Sequence, residues 1–229
     1  MKKIPDSQLP NHNNKFHIDF KNEYQKELFN LIQNPKNQMI IIAGEAGTSK
    51  SFTAITAAVQ SLLNKRIQKI HMTRPCVVTG GDEHGFIPGS LQEKLHPWLL
   101  PLMDNIEKTC PISGQDYKKV AEALRFEPLG MLRGRTMDNC YFICDEASNC
   151  TFHQLMTVAT RHGKKCKTIF TGDIAQTDIR NSGFEYFYQM MDGIEGVVCY
   201  TLPPAAQTRS DLVTRILQRK EEYAIQRSS

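Results

Sequence analysis

The sequence predicts an α/β protein in which a mainly parallel sheet carries helices on both faces. Three observations predict it. Apolar runs of strand length recur at 39–43, 69–73, 141–144, 167–171 and 197–201, most without the in-out alternation of a half-exposed sheet. Stretches with helical spacing separate them, and alternating strands and helices pack as a parallel sheet between helical layers. Three of the runs end in turn chemistry, at Gly44, at Asp145-Glu146 and at Gly172-Asp173.

In chain order, residues 1–16 are polar, hold Pro5 and Pro10, and read as a flexible arm. From 22 to 32, Tyr24, Leu28, Leu31 and Ile32 recur on one helical face before Pro35 breaks the pattern. The 39–43 strand leads through a Gly-rich turn into a helix over 50–63, and a second strand over 69–73 ends at Arg74-Pro75. Glycine and proline then mark an irregular excursion at 76–90, followed by expected helices at 90–109 and 115–126. The excursion and these helices read as an insertion at about 75–136 within a single domain over 17–229. A strand at 141–144, a helix at 151–162, a strand at 167–171, a helix at 183–191, a strand at 197–201 and a helix at 210–226 complete the chain.

Composition narrows the class. The 229 residues are 40% hydrophobic and 23% charged, as in an ordinary globular protein, with a formal net charge of +4. That excess suits a phosphate-rich partner without requiring one. No apolar run approaches the roughly 20 residues of a membrane span, and Met1-Lys2-Lys3-Ile4-Pro5 opens no secretory signal. A cytoplasmic protein without membrane association is therefore expected. The seven cysteines are odd in number and fit no paired C-x-x-C pattern, which favours reduced thiols over zinc.

Gly44-Glu45-Ala46-Gly47-Thr48-Ser49-Lys50-Ser51 resembles the phosphate loop G-x-x-x-x-G-K-[ST], in which backbone N–H groups and a helix N-terminus face the phosphates of a nucleotide. Lys50 is placed to neutralise the outer phosphates of ATP, and Ser51 to hold Mg²⁺ through its hydroxyl. Ser49 stands where the second glycine belongs. Either the backbone there has positive φ, at about 1–3 kcal/mol for a non-glycine residue, or φ is negative and the serine is tolerated.

The 141–144 strand ends in two acids. Asp145 suits a magnesium contact, and Glu146 suits the orientation and deprotonation of a water. The same acids would also serve to open a helix capped by Ser148 or Asn149. Beyond Thr171-Gly172-Asp173, Gln176 suits a sensor of the γ-phosphate.

These segments, with Thr73-Arg74-Pro75, 85–94 (GFIPGSLQEK), Arg133-Gly134-Arg135-Thr136 and 171–178 (TGDIAQTD), resemble the PhoH-like ATPases. The core of that family is similar to the first RecA-like domain of superfamily 1 helicases, so the resemblance implies a three-layer P-loop NTPase fold. It also implies roles for further residues. Asn22 and Gln25 match an N-x-x-Q element that reads adenine. Arg74 lies where a nucleic-acid strand is contacted or coupled to the nucleotide. Arg209 matches a late arginine near the γ-phosphate. The family is associated with ring-shaped, hexameric assemblies and RNA-linked ATPase activity, which implies RNA or single-stranded DNA as partner.

Arg133, Arg135, Arg180 and Arg209 are candidates for an arginine supplied to a neighbouring subunit's nucleotide. His84, Phe86, Lys94 and Trp98 are placed to stack on bases and follow a backbone, or to pack the insertion on the core. Three functions remain: a Mg-ATP hydrolase acting on RNA or single-stranded DNA as an oligomer, a nucleotide-holding scaffold with little turnover because of Ser49, and a P-loop kinase. Adjacent Asp145-Glu146 and Gln176 favour water over a phosphate acceptor.

Overall fold

The structure is a computed structural model that describes residues 18–75, 115–174, 176–210 and, beyond them, single helical positions between Leu212 and Tyr223. The arm at 1–16, the excursion, the helix expected at 90–109, and His84, Phe86, Lys94 and Trp98 lie outside the described residues.

Six strands form one sheet: β1 (Met39–Ala43), β2 (Lys69–Thr73), β3 (Leu124–Phe126), β4 (Cys140–Cys144), β5 (Lys167–Gly172) and β6 (Val197–Thr201). Their order is β3-β2-β4-β5-β1-β6, and every neighbouring pair is parallel. Helices α1 (Glu23–Gln33), α2 (Lys50–Leu63), α3 (Gln115–Ala123), α4 (Phe152–Ala159) and α5 (Phe184–Met191) cover it. This is the arrangement expected of a RecA-like P-loop NTPase, with β5 inserted between the loop-bearing strand β1 and the acid-bearing strand β4.

The two-period of a strand divides each buried run between two cores. Ile40 and Ile42 face a cluster with Leu28, Ile32, Ile55, Val59 and Val120 from α1, α2 and α3. Met39, Ile41 and Ala43 join Leu155, Val158, Phe184 and Phe187 from α4 and α5. Every residue of β1, β4 and β5 is buried, which is why these strands read as continuous runs. Phe142 and Phe170 are fully enclosed; truncating such a side chain to alanine costs about 3–5 kcal/mol. Among the described residues no helix is long and apolar enough to cross a membrane.

Local chemistry sets the helix ends. Asn22 caps α1 by accepting from Gln25 N–H at 2.9 Å. Thr151 and Gln154 form a reciprocal capping box at α4, so the cap expected at Ser148 or Asn149 falls at Thr151. Those two residues lie in a 3-10 turn, Ala147–Asn149, and Asn149 instead holds Asp178 by two bonds, to its N–H at 2.8 Å and its carboxylate at 3.0 Å.

The helix expected over 115–126 ends at Ala123, and Leu124–Phe126 forms an edge strand on β2, with Ile70 opposite Leu124. Three residues are too few for a periodicity to show. The strand leads to Glu127, a buried carboxylate bonded to His71 on β2 at 3.0 Å and to both arms of Arg135. Burial pushes His71 below the usual imidazole value.

Lys167 is a charge at the head of a buried strand. Its ammonium donates to Ile32 O and Asn34 O, both at 2.6 Å, and so closes the C-terminal end of α1. Burial lowers its pKa from 10.5 to about 8. Between those values the unfolded chain binds more protons than the folded one, so this group adds stability as pH rises from about 8 towards 10. Lys167→Met is expected to lower stability by about 1–3 kcal/mol in urea denaturation. Wild type, unlike the variant, is expected to gain stability across that pH window.

Candidate nucleotide site

Parallel register brings the carboxyl ends of three strands to one edge. Ala43 lies opposite Gly172, and Cys144 lies opposite Phe170 on the other side of β5. The residues that follow therefore meet. Asp145 Oδ1 accepts from Thr171 Oγ1 at 2.6 Å and from Ser51 Oγ, and Asp145 N–H donates to Thr73 O at 2.9 Å. Gly44 N–H donates to Gly172 O at 3.2 Å, and Ala46 N–H donates to Asp173 Oδ2 at 3.1 Å.

Around this junction is a hollow of about 750 Å³, within the range of small-molecule sites. Of the residues singled out in the sequence, Gln25, Ala46, Gly47, Ser49, Lys50, Ser51, Asp145, Glu146, Gln176 and Arg209 line it. Gly44, Glu45 and Thr48 form the body of the loop rather than its lining. Buried Thr48 donates to Glu45 O at 2.8 Å. Lys50 Nζ donates to Gly44 O at 2.5 Å and to Glu45 O at 2.7 Å. Burial pulls Lys50 below the usual lysine value; Asp173 and Asp145 oppose that shift and Arg209 reinforces it.

A triphosphate with Mg²⁺ fits these donors. The Ser51 hydroxyl and the Asp145 carboxylate are hard oxygen ligands already in mutual contact, and an ammonium stands at the loop beside them. Those two oxygens would hold the metal, which would neutralise phosphate charge.

Ser49 has φ 61 and ψ 26, the left-handed region. The position thus demands the conformation glycine supplies freely, and serine bears it at about 1–2 kcal/mol. Its hydroxyl lies 2.5 Å from Thr208 Oγ1, and Thr208 donates from both N–H and hydroxyl to Gly47 O at 3.0 Å. Gln207 Nε2 donates to Ala46 O at 2.8 Å. Residues 207–209 therefore lie against the phosphate loop. Gly47 has φ 92, and a Cβ there would push aside the side chains of Gln207 and Arg209. Sequence reading singled out Arg209 but not Gln207 or Thr208, whose role depends on an approach across more than 150 residues.

The other arginines divide. Arg74 pairs with Glu146 and does not line the hollow. Arg135 is engaged by Glu127, and Arg133 lies 3.4 Å from His153. Arg180 is exposed. Glu146 itself has φ 51, another left-handed non-glycine residue at the site. Asn22 caps α1 and donates to Ala206 O at 3.2 Å, while Gln25 Oε1 accepts from Lys21 N–H at 2.8 Å. Lys94 lies outside the described residues.

The Ser49–Thr208 tie and the strain at Ser49 oppose one another. Ser49→Gly is accordingly expected to change unfolding free energy by less than about 1 kcal/mol. Thr208→Val is expected to cost about 1 kcal/mol more in wild type than in the Ser49→Gly background, a coupling read from the double-mutant cycle. Equal costs in both backgrounds would show that the hydroxyl contact contributes nothing.

The model of the family described as PhoH-like protein matches residues 17–221. A PhoH-like protein of Synechocystis is 39% identical over 202 residues, covering 86% of this chain and 60% of its own length. One from Bacillus subtilis is 36% identical over 186 residues, covering 80% and 58%. The chain thus spans about 60% of the length of these curated relatives. Among solved structures, the Sulfolobus solfataricus SWI2/SNF2 ATPase core in complex with dsDNA aligns with 70% of this chain and 34% of its own, at 16% identity and TM-score 0.45. Pif1 helicase from Candida albicans aligns with 81% and 40%, at 17% identity and TM-score 0.37. Neither likeness bears on function. The family match, which covers residues 17–221, means that this chain belongs to the PhoH-like protein family.

Proposed function

We propose that this chain binds ATP with Mg²⁺ and hydrolyses it, working on RNA or single-stranded DNA as a ring-shaped, hexameric assembly. The observation that carries the reading is the meeting of Lys50, Ser51, Asp145, Glu146 and Gln176, drawn from three separate strand ends, around one hollow.

In this reading the loop N–H groups and Lys50 hold the phosphates, while Ser51 and Asp145 hold the metal. Glu146 takes the proton of the attacking water, Gln176 orients that water against the γ-phosphate, and Arg209 lies over the loop in the same subunit. Gln25 reads the base with its amide NH₂, since its carbonyl is held by Lys21 N–H. Three loop contacts must give way when nucleotide enters: Lys50 must leave Gly44 O and Glu45 O, and Asp173 must release Ala46 N–H.

Arg74 links the nucleotide to a nucleic-acid strand. Its pairing with Glu146 holds the base away from water. A strand phosphate that draws off the guanidinium frees the carboxylate, and turnover rises. Lys94 is a second strand contact. The strained Ser49 favours one other reading, a nucleotide-binding ring with little turnover, in which distortion of the loop weakens catalysis.

Lys50→Ala is expected to abolish ATP binding, measured by calorimetry. Glu146→Gln is expected to bind ATP with affinity within about threefold of wild type and to release phosphate at least about 100-fold more slowly. Wild-type phosphate release no greater than that of Lys50→Ala, with or without RNA, would favour the ring without turnover. Arg74→Ala is expected to raise basal phosphate release and abolish its stimulation by RNA, and to reduce the salt dependence of RNA binding by about one phosphate contact.

A further inference from the structure

At the opposite edge of the sheet, the amino ends of β4 and β5 carry a pair of thiols that the nucleotide site does not use. Cys140 opens β4 and Cys166 immediately precedes β5, on strands whose pairing begins with Tyr141 opposite Lys167. Their Sγ atoms are 3.8 Å apart, and both thiols are free. Cys140 is fully enclosed, whereas Cys166, buried but 7% exposed, borders a surface depression of about 550 Å³ with His162, Lys164 and Lys165. Cys166 Sγ is 3.7 Å from Thr168 Oγ1, which is itself 2.9 Å from His162 Nδ1. Among the described residues no group of three or more His, Cys, Asp or Glu side chains is placed to hold a metal ion. The pair is therefore read through thiol chemistry.

We propose that Cys166 and Cys140 form a peroxide-sensitive dithiol, in which a small hydroperoxide oxidises Cys166 and Cys140 resolves it to a disulfide across β4 and β5. The geometry divides the labour. Cys166 faces the depression that a small oxidant enters, and Cys140 stands behind it. The Cys166 thiol lies below the usual thiol range, held there first by the hydrogen bond from Cys140, against burial, and then by His162 and Thr168. Cys199 is the internal contrast: it is more exposed, yet burial pushes its thiol up to about 11. Cys144 and Cys150 are fully enclosed.

The chemistry balances. The Cys166 thiolate attacks one peroxide oxygen, the O–O bond breaks, and the departing hydroxide takes a proton to become water. The sulfur of Cys140 then displaces the hydroxyl from the Cys166 sulfenic acid, and its proton leaves with that hydroxyl as a second water. Two thiols are oxidised and one peroxide is reduced. The sulfurs must close from 3.8 Å to about 2.05 Å. Each cysteine follows a left-handed residue at a strand entrance, Asn139 at φ 50 and Lys165 at φ 52; Cys166 precedes the β5 ladder, while Cys140 is the first β4 residue paired to β2, opposite Lys69.

The test uses the full reduced chain under limiting hydrogen peroxide, quenched by alkylation and mapped by mass spectrometry, without nucleotide. The expected first product is a peptide linking Cys140 to Cys166. It should form at least about tenfold faster than any oxidation at Cys199, and dithiothreitol should reverse it. In Cys140→Ser, dimedone should label Cys166 and no intramolecular link should form. If that variant does not fold, the wild-type map decides alone. Oxidation at any other cysteine as fast as at Cys166, or a Cys166 bridge to a cysteine other than Cys140, would overturn the proposal.

Discussion

Parallel pairing of β1, β5 and β4 is the constraint on which everything else in this molecule depends. Parallel strands deliver all their carboxyl ends to one edge, and the ladder fixes their relative height to a single residue. With Ala43 opposite Gly172 and Cys144 opposite Phe170, the phosphate loop, the Asp145 turn and the Asp173 turn emerge side by side. A slip of one residue in β4 would turn Asp145 to the other face and bring Glu146 level with the hydroxyl of Thr171. Burial on both faces prevents that slip, because Phe142 and Ile143 of β4 must each enter a different core.

Within that frame the site is held by its own groups. Lys50 bonds to loop carbonyls, Asp173 accepts a loop N–H, Ser51 bonds to Asp145, and Arg74 pairs with Glu146. Charges are thus matched internally in a half-buried pocket, where an unmatched charge would be expensive. Two non-glycine residues in the left-handed region, Ser49 and Glu146, sit at the phosphate loop and at the second acid. The segment at 207–209 stabilises the first of them from across the fold, and the second is gripped by Arg74.

The strands that build the site were legible because they are buried on both sides and read as continuous apolar runs. The turns are legible because glycine and paired acids directly after an apolar run mark the end of a strand. Leu124–Phe126 was not legible, since a three-residue edge strand directly after a helix shows no period of its own. The sequence places Lys167 in a strand, but the reason for a charge there appears only when its ammonium meets the carbonyls at the end of α1. The sequence allows either sign of φ at Ser49, and the structure gives the positive one. Arg74 and Glu146, 72 residues apart, meet only because β2 lies beside β4. Pairings of this kind arise from topology, which a single sequence encodes without displaying.

The most direct measurement is a crystal structure of this chain with Mg²⁺ and a non-hydrolysable ATP analogue. The triphosphate should occupy the hollow between the 44–51 loop and Asp145. Lys50 Nζ should have moved from Gly44 O to the outer phosphates, and Ser51 Oγ should lie about 2.1 Å from the metal. An analogue bound elsewhere, or one bound with Lys50 still on its own loop carbonyls, would contradict that placement.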